Sequence, residues 1–265
     1  MSRPDDHDAL GRGGAELHFH LLPQVDDGPE SLDESAELAA MAVADGTGIV
    51  VATPHFKQID TAELDDRLAE VRARLRADGI ALEVQASSEL AFSDMPHVTA
   101  ADLDRIALGP ADARWLLLEA PLPGTDGTAE DYAQAADELR ARGFGVLVGH
   151  PERSPALRED AGTIRRELAA GSVLQLNATS LLGRHGDEAR DAALKLAREG
   201  MAAVVASDAH RPTRGPSLTA AEDALRAAGI DAATAHDMVR TAPRLVLEQG
   251  LAARDRRALG HPRAA

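Results

Sequence analysis

Glu16-Leu-His-Phe-His-Leu-Leu-Pro-Gln-Val-Asp-Asp-Gly28 is the stretch of the chain with the clearest chemical pattern. His18 and His20 alternate with apolar residues, a period of two that places both imidazoles on one side of an extended strand. Two neutral imidazoles on one face suit a divalent metal ion. Asp26 and Asp27 follow in a loop interrupted by proline and glycine, and they add oxygen ligands nearby. The stretch therefore predicts a strand that ends in a metal site.

The composition limits both the class of protein and the kinds of site. Of the 265 residues, 44% are hydrophobic and only 2% are aromatic, so the chain can bury a large core made of small aliphatic side chains. A formal net charge of −16 disfavours binding to nucleic acid or to an anionic membrane. The absence of cysteine excludes disulfides, thiolate metal sites and a cysteine nucleophile. Since no segment is typical of a signal peptide or a membrane span, we expect a cytoplasmic protein.

The remaining sequence alternates short apolar strands with helices. Seven strands are predicted, one that begins at Leu17 and others at 49–52, 82–86, 114–118, 145–148, 173–176 and 202–206. Helices are predicted at 31–46, 60–78, 128–142, 155–170, 188–199 and 217–250. Uninterrupted apolar runs are typical of strands buried on both faces, as in a parallel sheet.

Almost every predicted strand is followed by His, Asp, Glu or Asn. In an α/β barrel the chemistry gathers at the carboxyl ends of the strands, where side chains from all strands converge. An open doubly wound sheet would instead place its site at one switch point, and most of its strand ends would carry no functional polar residues. The pattern therefore favours an α/β fold, a seven-stranded barrel formed by one domain over 16–250. A disordered tail is expected at 1–14 and an Arg-rich polar tail at 251–265.

The residues at the strand ends form one set of nitrogen and oxygen donors. The set is His18, His20, Asp26, His55, Glu89, Glu119, His150, Asp208 and His210. Such donors without sulfur are typical of Mn²⁺, Fe²⁺ or Zn²⁺, and nine ligands suit two or three ions. A cluster of this kind generates hydroxide at neutral pH and holds both the attacking and the leaving oxygen of a displacement. The other histidines are interpreted as structural or surface residues: His7, His97, His185, His236 and His261.

Two arginines stand beside this set, Arg153 after His150 and Arg214 after His210. A forked guanidinium next to clustered metal ions can bind the outer oxygens of a phosphate. The sequence therefore predicts a site that handles a phosphoryl group.

These motifs resemble the polymerase and histidinol phosphatase (PHP) superfamily of metal-dependent phosphoesterases. Within it they are more similar to the bacterial manganese-dependent tyrosine-protein phosphatases associated with capsular and exopolysaccharide synthesis. The matching segments are 18–28, Ala52-Thr-Pro-His55, Gly149-His-Pro-Glu-Arg153, Leu176-Asn-Ala-Thr-Ser180, Ala206-Ser-Asp-Ala-His210 and Ala242-Pro-Arg-Leu245. The Leu-Pro-x-x-Asp-Asp-Gly extension within 18–28 separates this branch from the histidinol phosphatases.

The resemblance implies a distorted seven-stranded (β/α) barrel with C-terminal helices and a trinuclear metal site. Glu89 would bridge two ions. The residues completing those two ions would be His18, His20, His55, His150 and Asp208, and those serving the third would be Asp26, Glu119 and His210. Asp26 is also counted as catalytic, together with Arg153 and Arg214, which would hold the phosphoryl group. The spacing after His210 is one residue shorter than in the family, so Arg211 is an alternative to Arg214.

The sequence therefore predicts a manganese-dependent protein-tyrosine phosphatase that uses metal-activated hydroxide. The thiolate route requires a cysteine that this chain lacks, and phenolate leaves more readily than an alkoxide. The resemblance implies a phosphotyrosine protein as the partner, with a bacterial tyrosine kinase as the natural candidate. Two alternatives stay open: a small-molecule phosphatase of the histidinol-phosphate type, and a non-catalytic regulatory PHP module.

Overall fold

The computed structural model describes residues 13–251, so most of the two predicted tails lies outside the described residues. The strands are β1 (Gly14–Phe19), β2 (Thr47–Ala52), β3 (Glu83–Ala86), β4 (Glu89–Ala91), β5 (Trp115–Glu119), β6 (Gly145–Gly149), β7 (Val173–Asn177) and β8 (Ala202–Ala206). The helices are α1 (Leu32–Ala44), α2 (Leu64–Ala77), α3 (Ala100–Ile106), α4 (Ala129–Ala141), α5 (Pro155–Glu159), α6 (Ala161–Ala169), α7 (Ala178–Leu181), α8 (Asp187–Arg198), α9 (Leu218–Ala227), α10 (Ala232–His236) and α11 (Ala242–Gln249). Short 3₁₀ turns occupy Phe56–Gln58, Thr61–Glu63, Phe92–Asp94 and Pro151–Arg153, and Asp237–Thr241 is a π-helical turn.

The strands form two parallel sheets that together make a barrel. One sheet has the order β1-β2-β3 and the other β4-β5-β6-β7-β8. A parallel bridge between His55 and Glu89 joins the sheets on one side, and a bridge between Phe19 and Ala209 joins them on the other. The ring is thus closed by single bridges rather than by full ladders, which confirms the predicted α/β barrel and explains its distortion.

The predicted strand at 82–86 is followed by a second short strand, so eight strands occupy seven positions. Ser87 and Ser88 lie between β3 and β4, where the strand is interrupted. Their hydroxyls donate to the carbonyls of Ile106 (2.6 Å) and Pro54 (2.7 Å). The backbone still pairs with the segment after β2 here, since the N–H groups of Ser87 and Glu89 donate to the carbonyls of Ala52 (2.8 Å) and Pro54 (2.9 Å). The partner strand changes instead: β3 pairs with β2, whereas Glu89 begins a strand that pairs with β5.

Two predicted helices are also divided, in each case by a local cap. The side chain of Asp160 accepts the N–H groups of Gly162 and Thr163, which starts α6 directly after α5. Gly229, at φ +89°, ends α9, and Asp231 caps α10. The start of the first helix is confirmed, because Ser31 Oγ accepts the N–H of Glu34 at 3.2 Å.

The core has two parts that support the rim of the barrel. A smaller buried cluster draws aliphatic and aromatic residues from six strands, Leu17, Trp115 and Leu147 among them, and only the inside of the ring can bring these residues together. A larger cluster lies between the strands and the surrounding helices. Within residues 13–251, no helix combines the length and the hydropathy that a membrane span requires.

Candidate metal centre

The barrel brings the predicted donor residues to one rim. Because all paired strands are parallel, their carboxyl ends share one side of the ring, and the loops that follow them meet there. Four groups of side chains place one donor atom each within 4.8 Å of one another. The groups are His18/Glu89/His150, His18/His20/Asp208, His55/Glu89/Glu119 and His20/Asp27/His55/His210. Eight of the nine predicted ligands are therefore together, and the ninth, Asp26, is replaced in these groups by its neighbour.

His18 of β1 and His20, one residue past the end of that strand, point their Nε2 atoms at each other. His18 Nδ1 donates to Gln175 Oε1 at 3.1 Å, and His20 Nδ1 donates to Asp26 Oδ2 at 2.7 Å. With Nδ1 used in these bonds, Nε2 is the nitrogen of each ring that is left to bind a cation, and the two Nε2 atoms are 3.4 Å apart. Two nitrogen donors this close together in a buried site suit cations that are bound near each other.

Glu89 lies at the centre of the arrangement. Its Oε1 is 3.1 Å from His18 Nε2 and 3.3 Å from His150 Nε2. Its Oε2 is 3.1 Å from His55 Nδ1 and 3.4 Å from His20 Nε2. The side chain is almost completely buried, so each oxygen faces a different set of imidazoles. This geometry suits a carboxylate that serves two ions at once.

The outer group is closed by Asp27 rather than by Asp26. Asp27 Oδ1 lies 3.2 Å from His210 Nε2 and 3.5 Å from His55 Nε2. The carboxylate of Asp26 instead accepts hydrogen bonds from His20 Nδ1, from the N–H of Gly28 (2.9 Å) and from the N–H of His55 (3.1 Å). Asp26 therefore lies behind the donor atoms and orients His20, while Asp27 supplies the exposed oxygen.

Asp208 connects the donor groups to the arginines. Its Oδ1 is 3.3 Å from His18 Nε2, while its Oδ2 accepts from Arg153 (3.0 Å) and Arg214 (2.5 Å). Both predicted phosphate-binding arginines thus lie at the edge of the donor set. Arg211 pairs instead with Glu30 at 2.7 Å, and its Nε donates to the backbone carbonyl of Asp27 at 3.4 Å. Of the two alternatives left by the sequence, the geometry favours Arg214.

Without bound cations, the buried ionisable groups of the site have strongly shifted pKa values. Burial alone would raise the pKa of Glu89, but the neighbouring histidines hold it well below its usual value. Burial would lower the pKa of His55, but hydrogen bonds to Asp27 and Glu89 raise it to about 10. Burial and the negative charge of Glu89 raise the pKa of Glu119 to about 8. Protons on imidazoles therefore balance the buried carboxylates, and divalent cations would displace those protons.

Backbone strain in the described chain is concentrated at this rim. His150 and Asp208 adopt left-handed conformations, with φ of +34° and +52°. Outside glycine, the only other residue of 13–251 with positive φ is Gln24, in the loop that leads to Asp26. Such conformations cost on the order of 1–3 kcal/mol each and persist where the surroundings fix them. Here the strain turns two side chains of strand-end loops toward the donor cluster.

No role was predicted for two buried polar residues of β7, although Asn177 lies in one of the matching segments. Gln175 orients His18, and Asn177 Nδ2 donates to Asp208 Oδ2 at 2.8 Å. A signal was present, because both alternate with leucine in the otherwise apolar strand Val173-Leu-Gln-Leu-Asn177. Polar side chains at a period of two inside a barrel strand indicate a supporting layer of hydrogen bonds.

The comparisons with known proteins agree with this geometry. A family model for capsular polysaccharide synthesis proteins, CpsB/CapC, matches residues 15–248. CapC of Staphylococcus aureus is 28% identical over 207 residues, 77% of this chain and 79% of that protein. The tyrosine-protein phosphatase YwqE of Bacillus subtilis is 28% identical over 199 residues, 74% of this chain and 76% of that protein.

Solved structures give the same picture of the fold. A structure from a study of YwqE of Bacillus subtilis and CpsB of Streptococcus pneumoniae, described as metal-dependent tyrosine phosphatases, superposes with a TM-score of 0.74 at 25% identity. It covers 89% of this chain and 96% of the solved chain. The phosphotriesterase homology protein of Escherichia coli superposes with a TM-score of 0.56 at 13% identity, covering 88% of this chain and 97% of that one. The latter likeness concerns the barrel fold alone.

Proposed function

The chain belongs to the CpsB/CapC family of capsular polysaccharide synthesis, and from that membership we propose that it is a metal-dependent tyrosine-protein phosphatase. The observation that carries the proposal is the convergence of histidine nitrogens and carboxylate oxygens into four overlapping groups beside two arginines. Metal ions bound there would supply an activated water and stabilise charge on the transferred phosphoryl group. The rest of the chemistry falls to the side chains of this chain.

The proposed ligands are the eight predicted residues that converge, together with Asp27. They are His18, His20, Asp27, His55, Glu89, Glu119, His150, Asp208 and His210. The groups overlap at His18, His20, His55 and Glu89. A histidine nitrogen has one lone pair and can bind one ion, whereas the two oxygens of Glu89 can each bind a different ion, so two or three ions that share this carboxylate fit the set. Manganese is proposed, with iron or zinc as alternatives, because donors of mixed nitrogen and oxygen suit all three. Asp26 takes the role of orienting His20.

Arg153 and Arg214 are proposed to hold the phosphoryl group. Both guanidiniums already donate to Oδ2 of Asp208. Their side chains remain partly exposed to solvent, at 18% for Arg153 and 34% for Arg214. A phosphate that reaches the donor cluster can therefore take up their remaining N–H groups in a bidentate manner. The arginines would orient the substrate and neutralise charge that develops during the reaction.

A cavity beside the donor cluster suits the tyrosine ring. It has a volume of about 590 Å³ and is lined on one side by His55, Glu89 and Glu119. Its lining also includes the apolar residues Phe92 and Leu122, beside polar residues such as Lys57 and Asp126. An aromatic ring placed there would bury apolar surface while its phosphate stays at the donor cluster. The proposed substrate is accordingly a phosphotyrosine protein, with a bacterial tyrosine kinase as the partner.

Metal removal and reconstitution test this proposal. Protein stripped by a chelator should lose hydrolysis of an aryl phosphate, and added Mn²⁺ should restore it. Elemental analysis of the purified protein should find more than one transition metal per chain. Full activity of the stripped protein would contradict the proposal, as would a titration that finds at most one metal site.

A further inference from the structure

Asp208 offers one oxygen to the donor cluster and the other to a separate hydrogen-bond network. Its Oδ2 accepts from Arg153, from Arg214 and from Asn177 Nδ2, and the carboxylate is 2% exposed. One oxygen thus anchors both proposed phosphoryl-binding arginines. Whatever fixes the orientation of this carboxylate also fixes the position of the two guanidiniums.

Asn177 is itself held in place by three further hydrogen bonds. Its backbone N–H donates to Glu152 Oε1 at 2.9 Å. Its side-chain Oδ1 accepts from the hydroxyl of Thr179 at 2.6 Å and from the N–H of Thr179 at 3.0 Å. Asn177 is fully buried at the end of β7, so its amide cannot exchange these partners for water.

His185 completes the network from the loop between α7 and α8. Its Nε2 lies 2.8 Å from Thr179 Oγ1. Because the hydroxyl hydrogen of Thr179 is used on Asn177, the hydroxyl oxygen accepts and His185 Nε2–H donates. The loop can return to Thr179 because Gly183 and Gly186 adopt φ of +76° and +89°, conformations that side chains rarely allow.

We propose that His185 and Thr179 are positioning residues for the two phosphoryl-binding arginines. The donors run in one direction, from His185 Nε2–H to Thr179 Oγ1, from Thr179 Oγ1–H to Asn177 Oδ1, and from Asn177 Nδ2–H to Asp208 Oδ2. Hydrogen bonds in such a chain polarise one another, so the first donor strengthens the last. This chain of hydrogen bonds, called the relay below, orients the Asp208 carboxylate so that Oδ1 faces the histidines and Oδ2 accepts from the arginines. This inference rests on the proposed function of the same site.

A histidine suits the first position of this relay because it donates without adding charge. Burial and the positive charges of Arg153 and Arg214 lower the pKa of His185 to about 4, so the imidazole is neutral at physiological pH. A lysine or arginine there would repel the two guanidiniums. A phenylalanine would fill the space but would leave Thr179 Oγ1 without its donor.

Matched substitutions at Thr179 test the relay. Thr179→Val keeps the shape and removes the hydroxyl, whereas Thr179→Ser restores it. We expect Thr179→Val to raise both the KM for p-nitrophenyl phosphate and the Ki of inorganic phosphate about fivefold, the equivalent of one buried hydrogen bond, and Thr179→Ser to return both toward the wild-type values. Thr163→Val is the control, because Thr163 is also buried and donates to Asp160 (2.8 Å), outside the network that reaches Asp208.

The coupling to the arginines separates positioning from a general structural effect. In an Arg153→Ala background, the additional effect of Thr179→Val on KM should shrink to about twofold or less, because mutations in one network are not additive. An undiminished fivefold effect would overturn the proposal. His185→Gln, which keeps an N–H donor, should preserve KM better than His185→Phe, and equal effects of the two would also overturn it.

A readout without activity uses the histidine ring nitrogens. In the metal-stripped full chain, ¹⁵N NMR should find His185 neutral with its proton on Nε2 between about pH 5.5 and 8. A ring without a proton on Nε2 in that range would overturn the relay, because it could not donate to Thr179, whereas a proton on Nε2 supports it. If the wild type hydrolyses no aryl phosphate, the proposed function fails and the NMR result still tests the relay. If the wild type is active but Thr179→Val matches its KM and Ki, the relay fails and the function stands.

Discussion

Replacement of Glu89 by Gln should damage metal binding more than replacement of any single histidine. The change preserves the shape of the side chain, so it leaves no cavity, but it removes the negative charge and turns one oxygen into an N–H₂ group. That group would face either the imidazoles near Oε1, at 3.1 and 3.3 Å, or those near Oε2, at 3.1 and 3.4 Å. In both orientations a ligand atom becomes a donor that cannot bind a cation.

The magnitude follows from the shared position of this carboxylate. Loss of a residue that merely supports a ligand typically costs about 10- to 100-fold in metal affinity. Glu89 belongs to two of the donor groups directly, so we expect at least about a hundredfold loss, or about 2.8 kcal/mol, for each of two ions.

Isothermal titration of stripped protein with Mn²⁺, followed by elemental analysis after dialysis, measures this loss. Glu83→Gln is the matched control, because it makes the same change at an exposed position at the start of β3. His150→Gln provides the comparison with a single histidine. The reasoning is refuted if Glu89→Gln keeps the wild-type number of ions with affinities within about threefold, or if His150→Gln is the more damaging change.

Three further outcomes can be measured with the same protein. Arg153→Ala should keep its metal but lower kcat about 10²-fold, the scale of one lost charge-stabilising donor, whereas Arg211→Ala should stay within about threefold. Asp27→Asn should lower the metal content measured by elemental analysis more than Asp26→Asn does, because an amide oxygen at position 26 can still accept from the histidine it orients. Metal affinity from titrations between about pH 6 and 8 should rise roughly tenfold per pH unit for each displaced proton. The sign follows because the pKa of His55, raised to about 10 without metal, keeps it protonated over that range, and lower pH favours the proton over the ion.

The sequence predicted the rim of the barrel well because that rim is determined by local patterns. Each apolar strand run ends in a polar residue, and parallel pairing then carries the ends together regardless of the exact helix boundaries. His18, His150 and Asp208 therefore converge as expected. The division of the third strand position into β3 and β4 was not predicted, because it depends on a change of pairing partner from β2 to β5, which local sequence patterns do not contain.

The adjacent residues Asp26 and Asp27 show where sequence reasoning reaches its limit. Two adjacent aspartates have equal chemistry, and only the path of the loop decides which one faces the donors. In this loop Gln24 adopts φ of +59°, and the N–H of Gly28 turns back onto Asp26 Oδ1. A side chain on Gly28 would place its Cβ 2.8 Å from that oxygen, so the tight turn depends on glycine. Asp26 is thereby turned inward, toward His20, and Asp27 outward.

The supporting residues of β7 were missed for a related reason. Gln175 contacts a histidine that lies 157 positions away in the chain, and the contact exists only after the barrel has closed. The polar alternation within the strand indicates that such residues face something polar. It does not identify the partner, which the three-dimensional structure alone supplies.

One comparison of kcat/KM distinguishes a tyrosine phosphatase from a small-molecule phosphatase. The Mn²⁺-loaded protein would be assayed under identical conditions with a phosphotyrosine peptide, a phosphoserine peptide and histidinol phosphate. Because phenolate leaves more readily than an alkoxide and the cavity beside the donor cluster accepts a ring, the account predicts that the phosphotyrosine peptide is preferred by about tenfold or more. A tenfold preference for histidinol phosphate would contradict the tyrosine phosphatase and support the small-molecule alternative.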